Sequence, residues 1–169
     1  MENLSTTSLS IQTPLGLLRL EANNHHLVSA SFINHSESTI DNNLSPLLKE
    51  VATQLDAYFK GKLQTFDIPL QPLGTDFQKE VWKKLKTIPY GETISYLKLA
   101  NMVGGPHYSR AVGTANGNNT IAIIIPCHRV IGNNGDLVGY SGGLEKKRWL
   151  IDFEKKCKYG IHELFGRGF

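Results

Sequence analysis

Residues 121–132 read Ile-Ala-Ile-Ile-Ile-Pro-Cys-His-Arg-Val-Ile-Gly, and the fold and chemistry of the chain turn on this stretch. Ile121–Ile125 is the longest apolar run in the chain. It has the length of a buried strand and falls far short of the roughly 18 residues needed to span a bilayer. Pro126 cannot extend a sheet ladder, so the expected strand stops there and delivers Cys127 at its end, with His128 next. Cysteine is a good nucleophile only as thiolate, which a neighbouring base or positive charge favours. Adjacent residues of an extended chain point to opposite sides. His128 can therefore serve Cys127 only if the backbone turns at this point, as Pro126 makes plausible. A bare Cys-His pair is more often a buried structural cysteine beside an incidental histidine.

Upstream of this stretch the sequence is rich in helix signals. Thr75 is a good N-cap, and Phe77, Val81, Trp82 and Leu85 make one apolar helix face that ends before Pro89-Tyr90-Gly91. Thr93 or Ser95 can cap a second helix through Leu97, Leu99, Ala100 and Val103, stopped by Gly104-Gly105. A third starts near Pro106 and runs through Tyr108, Ala111, Val112 and Ala115 to Gly117. Two short helices around a Gly-containing turn suggest a helix-turn-helix, a weak pattern taken alone.

The first 70 residues have a different style. Ser8–Gln12 and Gly16–Glu21 read as strands around the turn Thr13-Pro14-Leu15-Gly16, and Leu27–Phe32 as a third strand after a polar bend. Ser45–Lys60 carries Leu48, Val51, Leu55 and Tyr58-Phe59 at helical spacing. Leu70-Gln-Pro-Leu-Gly74 reads as a linker. The expected organisation is α+β, with an N-terminal α/β domain over 1–70, a linker at 71–74, and a mainly helical domain over 75–169.

Composition sets bounds on function. At 169 residues, 40% hydrophobic and 20% charged, the chain is an ordinary globular sequence able to bury a core. Its opening residues lack the basic-then-apolar order of a secretory signal. Two cysteines, Cys127 and Cys157, make no disulfide framework, so an intracellular, reducing setting is expected: cytoplasmic, or nuclear in a eukaryote. The net charge of +3 divides unevenly: residues 1–74 hold 4 basic and 7 acidic side chains (−3), residues 75–169 hold 14 and 8 (+6). A basic second half fits phosphate-facing surface, and fits an ordinary solvated surface equally well.

The flanks of Cys127 narrow the choice. Pro126-Cys-His-Arg-Val130 resembles the active-site signature of the O6-alkylguanine-DNA alkyltransferases. Ile88-Pro-Tyr-Gly-Glu-Thr-Ile-Ser-Tyr96, Ser109-Arg-Ala-Val-Gly113, Asn116-Gly-Asn-Asn119, Gly139-Tyr-Ser-Gly-Gly143 and Lys147–Leu150 follow in the family's order and spacing. The resemblance covers Phe77 to about Glu154 strongly and the first 70 residues in outline. It implies a small N-terminal domain of ribonuclease H-like outline and a winged-helix-like C-terminal domain. It also implies direct-reversal DNA repair, in which one alkyl group moves irreversibly from O6-alkylguanine, and also from O4-alkylthymine, to the protein's own cysteine.

Residue by residue, the resemblance implies that Cys127 is the acceptor, that His128 takes its proton through a water, and that Glu154 orients His128, with Asp152 a nearby competitor. Tyr96 would contact the base and donate a proton to a ring nitrogen, Ser141 would bond O6, and Tyr140 would wall the alkyl pocket. Asn119 would pin the active-site loop, and the carbonyls of Cys127 and Val130 would receive the exocyclic amine. A base inside a duplex is out of reach, so the nucleotide must be flipped out. Arg110 would fill its place in the stack, while Ser109, Ala111 and Gly113 are small enough for close approach in the minor groove. The implied partner is double-stranded DNA, bound by a monomer with little sequence preference and no cofactor or membrane.

Departures are few. Thr120 stands where many members carry proline. Some relatives hold a structural zinc, but this chain has no cysteine before Cys127, and His25, His26 and His35 alone make a poor tetrahedral site, so no metal is expected. Cys157 is read as a passive thiol, and His162 has no assignable role. Glu21, Asp41, Asp56 and Asp67 are scattered and suggest no metal cluster. Two other function classes remain: a cysteine hydrolase or acyl-transfer enzyme, whose histidine normally comes from elsewhere in the chain, and a non-catalytic binder of alkylated DNA, in which the reactive cysteine is replaced.

Overall fold

The computed structural model describes residues 5–34 and 44–160; His35, Asp41 and His162 lie outside the described residues. The fold is α+β, in two compact units. One takes in the described residues up to Lys79 together with Asn119–Ile125, the other Glu80–Asn118 and the described residues from Pro126 on.

In the first unit, β1 (Thr7–Thr13), β2 (Gly16–Ala22) and β3 (Leu27–Phe32) form an antiparallel sheet in sequence order. Strict alternation on β2 sends Leu18, Leu20 and Ala22 into the core and leaves Arg19 and Glu21 to pair at 3.1 Å on the other face. Helix α1 (Pro46–Phe59) buries Leu48, Val51, Leu55 and Tyr58, one stripe at helical spacing. Each buried leucine here contributes about 2 kcal/mol of apolar transfer free energy. Ser45 caps the helix by accepting from the Leu48 N–H at 3.1 Å. The segment expected to be a linker begins as part of this unit. Leu70 bridges Leu27 in parallel, and the Gln71 N–H donates to the Leu27 carbonyl at 2.9 Å.

The expected strand at Ile121–Ile125 is not one. Only Ile121 keeps a strand-like contact, a parallel bridge to Ala30. The chain then winds up: the Ile124 N–H donates to Ala122 O at 2.8 Å and the Ile125 N–H to Ile121 O at 3.1 Å. Ile123, at the centre of the first of these turns, has φ +72, a conformation that costs a β-branched residue about 1–3 kcal/mol. The Asn119 side chain makes the difference. Its Oδ1 accepts from the Ile121 N–H at 3.1 Å, and its Nδ2 donates to the carbonyls of Ile121 (3.3 Å) and Ile125 (2.8 Å). Backbone groups that a sheet would have paired are satisfied by one amide, so five buried apolar residues pack as a turn.

Helix α2 (Asp76–Leu85) opens on a reciprocal cap. The Thr75 hydroxyl accepts from the Gln78 N–H at 3.2 Å, and Gln78 Oε1 accepts from the Thr75 N–H at 2.9 Å. In the second unit, β4 (Ile94–Ser95) leads into α3 (Tyr96–Val103), and Ser95, not Thr93, caps it through the Lys98 N–H at 3.0 Å. A 3₁₀ turn at Pro106–Tyr108 precedes α4 (Ser109–Gly117). Leu99, Ala100, Val112 and Ala115 are buried, as the apolar faces of a helix-turn-helix require. Trp82 anchors the end of α4 by donating its indole N–H to the Ala115 carbonyl at 2.8 Å. Short β5 (Val130–Ile131) lies parallel to β4, and α5 (Leu144–Tyr159) closes the described chain. No described helix is long and apolar enough to cross a membrane.

Candidate active site

Pro126 turns the chain (φ −83, ψ 63), and Cys127–Arg129 form a single 3₁₀ turn. The Arg129 N–H closes it on Pro126 O at 3.0 Å, and the Val130 N–H donates to Cys127 O. The turn takes Cys127 and His128 out of the extended geometry that would have sent them to opposite sides. Pairing of Ile94 with Val130 and of Ser95 with Ile131 then sets the start of α3, and so Tyr96, beside this turn. Cys127 is 4% exposed.

His128 is wholly buried, and its Nε2 meets Glu154 Oε1 at 2.8 Å. Nδ1 is buried with no hydrogen-bond partner among the described residues. Burial holds the imidazole below its ordinary pKa against the opposing pull of Glu154. The neutral ring therefore donates Nε2–H to the carboxylate and keeps Nδ1 as a lone-pair acceptor, the state of a base ready to take a proton. Asp152, the competitor for the carboxylate position, lines a separate groove with Leu144, Arg148 and Trp149.

Glu154 keeps its charge because His128 and Arg129 both meet it. Burial pushes the carboxyl up, but His128 and Arg129 outweigh it and hold the group well below the usual carboxylate range. Arg129 grips both oxygens, Nε to Oε2 at 2.8 Å and Nη2 to Oε1 at 2.9 Å, and spends Nη1 on the Ile88 carbonyl at 2.7 Å. A fourth donor is the Gly91 N–H, 3.1 Å from Oε2. Gly91 has φ +76, and a Cβ there would stand 2.7 Å from Lys158 Cδ and 3.3 Å from the Glu154 carbonyl oxygen, so glycine alone allows this approach.

A pocket of about 420 Å³ opens nearby, lined by Tyr96, Arg110, Gly113, Val138, Tyr140 and Ser141 among others. Ser109 also lines it, while Ala111 is exposed on the same helix. Cys127 does not line this pocket, but it is coupled electrostatically to Tyr96, Tyr140 and Lys147. Burial raises the hydroxyls of both Tyr96 and Tyr140, against an opposing hydrogen bond from Asn116 at Tyr96 and with a further push from Cys127 at both, so both tyrosines stay protonated. Tyr96 donates to the Val138 carbonyl at 3.0 Å, a loop contact that a ligand would have to replace. Asn119 belongs to the first unit, where its bonds are those of the 121–125 turn.

Four residues in this site had received no role from the sequence: Gly91, Asn116, Arg129 and Lys147. Lys147 is fully buried, with Nζ donating to Val138 O at 2.7 Å and Gly139 O at 3.2 Å, and burial lowers its pKa to about 8. Cys127 acts against that lowering electrostatically. A signal for it existed: Lys147, Leu150, Ile151 and Glu154 share one stripe of α5, so the charged pair brackets two core residues. Asn116 is buried at the end of α4, and its Nδ2 donates to Cys127 O at 3.3 Å. Among the described residues, no three His, Cys, Asp or Glu side chains are grouped to hold a metal ion.

Comparison with known proteins places these features in a family. Residues 76–156 match the family described as 6-O-methylguanine DNA methyltransferase, DNA binding domain, and residues 8–72 match its ribonuclease-like domain. The methylated-DNA–protein-cysteine methyltransferase of Methanosarcina acetivorans is 45% identical over 152 residues, covering 86% of this chain and 96% of that protein. The protein of the same name from Mycobacterium tuberculosis H37Rv is 46% identical over 149 residues, covering 86% and 90%. The crystal structure of the M. tuberculosis O6-methylguanine methyltransferase superposes with a TM-score of 0.78 at 44% identity, over 90% of this chain and 94% of that one. That of M. tuberculosis OGT in complex with DNA gives 0.78 at 46% identity, over 88% and 92%.

Proposed function

The chain belongs to the 6-O-methylguanine DNA methyltransferase family, and from that premise we propose that it moves the alkyl group of a flipped O6-alkylguanine in DNA onto Cys127, once per molecule. It is a DNA-binding methyltransferase of DNA repair. The observation that carries the assignment of roles is the buried hydrogen bond of Glu154 to His128, the residue next in the chain to Cys127, which is itself coupled electrostatically to the two tyrosines of the pocket wall.

In this reading the Cys127 sulfur attacks the alkyl carbon in line with the C–O6 bond. The S–C bond forms, the C–O6 bond breaks, and the electron pair stays on the purine. The thiol proton passes through a water to Nδ1 of His128, while Glu154 stabilises the imidazolium on the other side of the ring. Guanine is a poor leaving group as an anion, so Tyr96 gives up its bond to Val138 and donates to a ring nitrogen as charge develops. Ser141 bonds O6, Tyr140 walls the alkyl side, and the carbonyls of Cys127 and Val130 receive the exocyclic amine. Asn119 keeps the segment that runs into Pro126 in its turn. The same chemistry extends to O4-alkylthymine.

Access to the base requires extrusion from the duplex. Arg110 occupies the gap in the stack, with α4 in the minor groove on its small residues Ser109, Ala111 and Gly113. The protein acts on the duplex as a single copy.

The test is a mass measurement on the protein mixed with a duplex carrying one O6-methylguanine. Wild type gains about 14 Da on Cys127 and stops at one equivalent, because a thioether offers no route to hydrolysis. Cys127→Ser binds the duplex with no gain. Many turnovers per molecule would refute the single-use mechanism, and binding without any gain by wild type would leave only a binder of alkylated DNA.

A further inference from the structure

The turn of the helix-turn-helix carries two aromatic rings that take no part in the chemistry above. His107 and Tyr108 end the 3₁₀ turn that leads into α4, directly before Ser109 and Arg110. Both side chains are exposed, Tyr108 at 37%, and their ring centroids lie 4.4 Å apart with the planes tilted by 40°. Two glycines make room for them. A Cβ on Gly104 would stand 2.8 Å from Tyr108 Cε2, and one on Gly105, where φ is +136, 3.1 Å from His107 Cε1. Each ring therefore lies against bare backbone, and a side chain at either glycine would displace it.

The core of the helix pair does not need this arrangement, since Leu99, Ala100, Val112 and Ala115 fill it. Its surroundings point to nucleic acid. From Thr93 to Gly135 the chain has no Asp or Glu, and the exposed cations of that span are Lys98 and Arg110. A phosphate strand meets no repulsion there. Exposed rings among cations are the chemistry that holds bases by their faces, without regard to sequence. Ser109 and Arg110, next in the chain, line the pocket that takes the extruded nucleotide.

We propose that Tyr108, braced by His107, stacks on a base beside the gap that extrusion opens, so that a ring as well as Arg110 holds the opened duplex. An intact duplex offers only base edges in its grooves, whereas a base that has lost its neighbour offers a face. The ring contact therefore forms with opened DNA and not with closed DNA. Tyr108 touches the nucleic acid, and His107 is a positioning residue that acts through it. The proposal rests on the reading above in which the nucleotide is extruded.

The experiment compares binding to two duplexes of one sequence, one intact and one with a single abasic site, where the gap already exists and no alkyl group is present to react. The quantity read is the ratio of the two dissociation constants on one protein sample, which cancels any difference in folded fraction. Tyr108→Ala reduces the preference for the abasic duplex by about tenfold, within the range of one base–aromatic stack, and Tyr108→Phe keeps it. Tyr108→Leu, which retains apolar volume without a ring, gives the same loss as alanine if that variant is poorly folded. His107→Ala lowers the preference in the same direction and His107→Phe restores it, because the ring and not the charge does the bracing. A ratio unchanged within about twofold in both Tyr108→Ala and Tyr108→Leu overturns the stack, and so does a loss in Tyr108→Phe equal to that in alanine. Either result leaves alkyl transfer standing, since transfer from an O6-methylguanine duplex to wild type is measured separately, and its absence overturns that reading instead.

Discussion

Arg129 and Glu154 form a two-pronged buried ion pair, with Nε 2.8 Å from Oε2 and Nη2 2.9 Å from Oε1. Both residues are nearly out of solvent, so the pair is not screened as a surface bridge would be. Its consequence lies one residue away. With Arg129 as counterion, Glu154 remains anionic beside a neutral His128, and the histidine is free to accept the proton that gives the pair its second positive charge.

Glu154→Gln keeps the volume and removes the charge. Arg129 is then a buried cation with no anion, a loss of about 3 kcal/mol. For a chain of this size that lowers the melting temperature by about 9 °C, readable by thermal unfolding followed by circular dichroism. Alkyl transfer falls as well, because the imidazolium loses its stabilising charge. A melting temperature within a degree of wild type would show that the ion pair carries no net stability.

Stability should depend on pH through His128. Burial lowers its pKa in the folded chain, so the unfolded chain, titrating near 6.5, binds the proton more readily. The contribution of the neutral ring is complete above that value and drains away as pH falls below it. Glu154, also lowered on folding, acts in the same direction from its unfolded value of 4.5 downward. Urea midpoints should therefore decline between pH 7 and pH 5, with a limiting slope of about 1.4 kcal/mol per pH unit for one group. His128→Gln should flatten the decline. Superimposable profiles for the two proteins would rule out His128 as its source.

Arg110 is exposed on α4 and lines the pocket beside Ser109 and Tyr96. If it fills the gap left by an extruded base, its value appears only with duplex substrate. Arg110→Ala should lower transfer from a duplex by about tenfold or more, since extrusion costs a few kcal/mol, and change transfer from the free base by less than twofold. Single-turnover rates on both substrates decide it. Equal losses would remove the stacking role.

Much of the fold was written in local pattern. The alternation Leu18-Arg19-Leu20-Glu21-Ala22 specifies a half-buried strand, and Leu48, Val51, Leu55 and Tyr58 specify a helix face, because burial of one face is all that either element requires. The caps at Ser45, Thr75 and Ser95 are equally local, each a side chain bonded three residues on. Ile121–Ile125 shows where such reading fails. Five apolar residues in a row are compatible with any buried backbone, and the turn is dictated by an amide at Asn119 that competes for the groups a sheet would use.

The sequence by itself determined the element types, the two styles of its halves and the cluster of motifs around Cys127, since these depend on neighbours within a few positions. It also named Cys127, His128 and Glu154 as candidates through resemblance. Only the tertiary structure decided which carboxylate meets His128, what balances its charge, and that Lys147 and Asn116 face the same centre. The reason is distance along the chain: Arg129 finds Glu154 25 residues away, Lys147 reaches Tyr96 across 51, and the Gly91 N–H reaches Glu154 across 63. Contacts of that span leave no periodicity to read, and a charged side chain on a helix looks like surface until the burial around it is known.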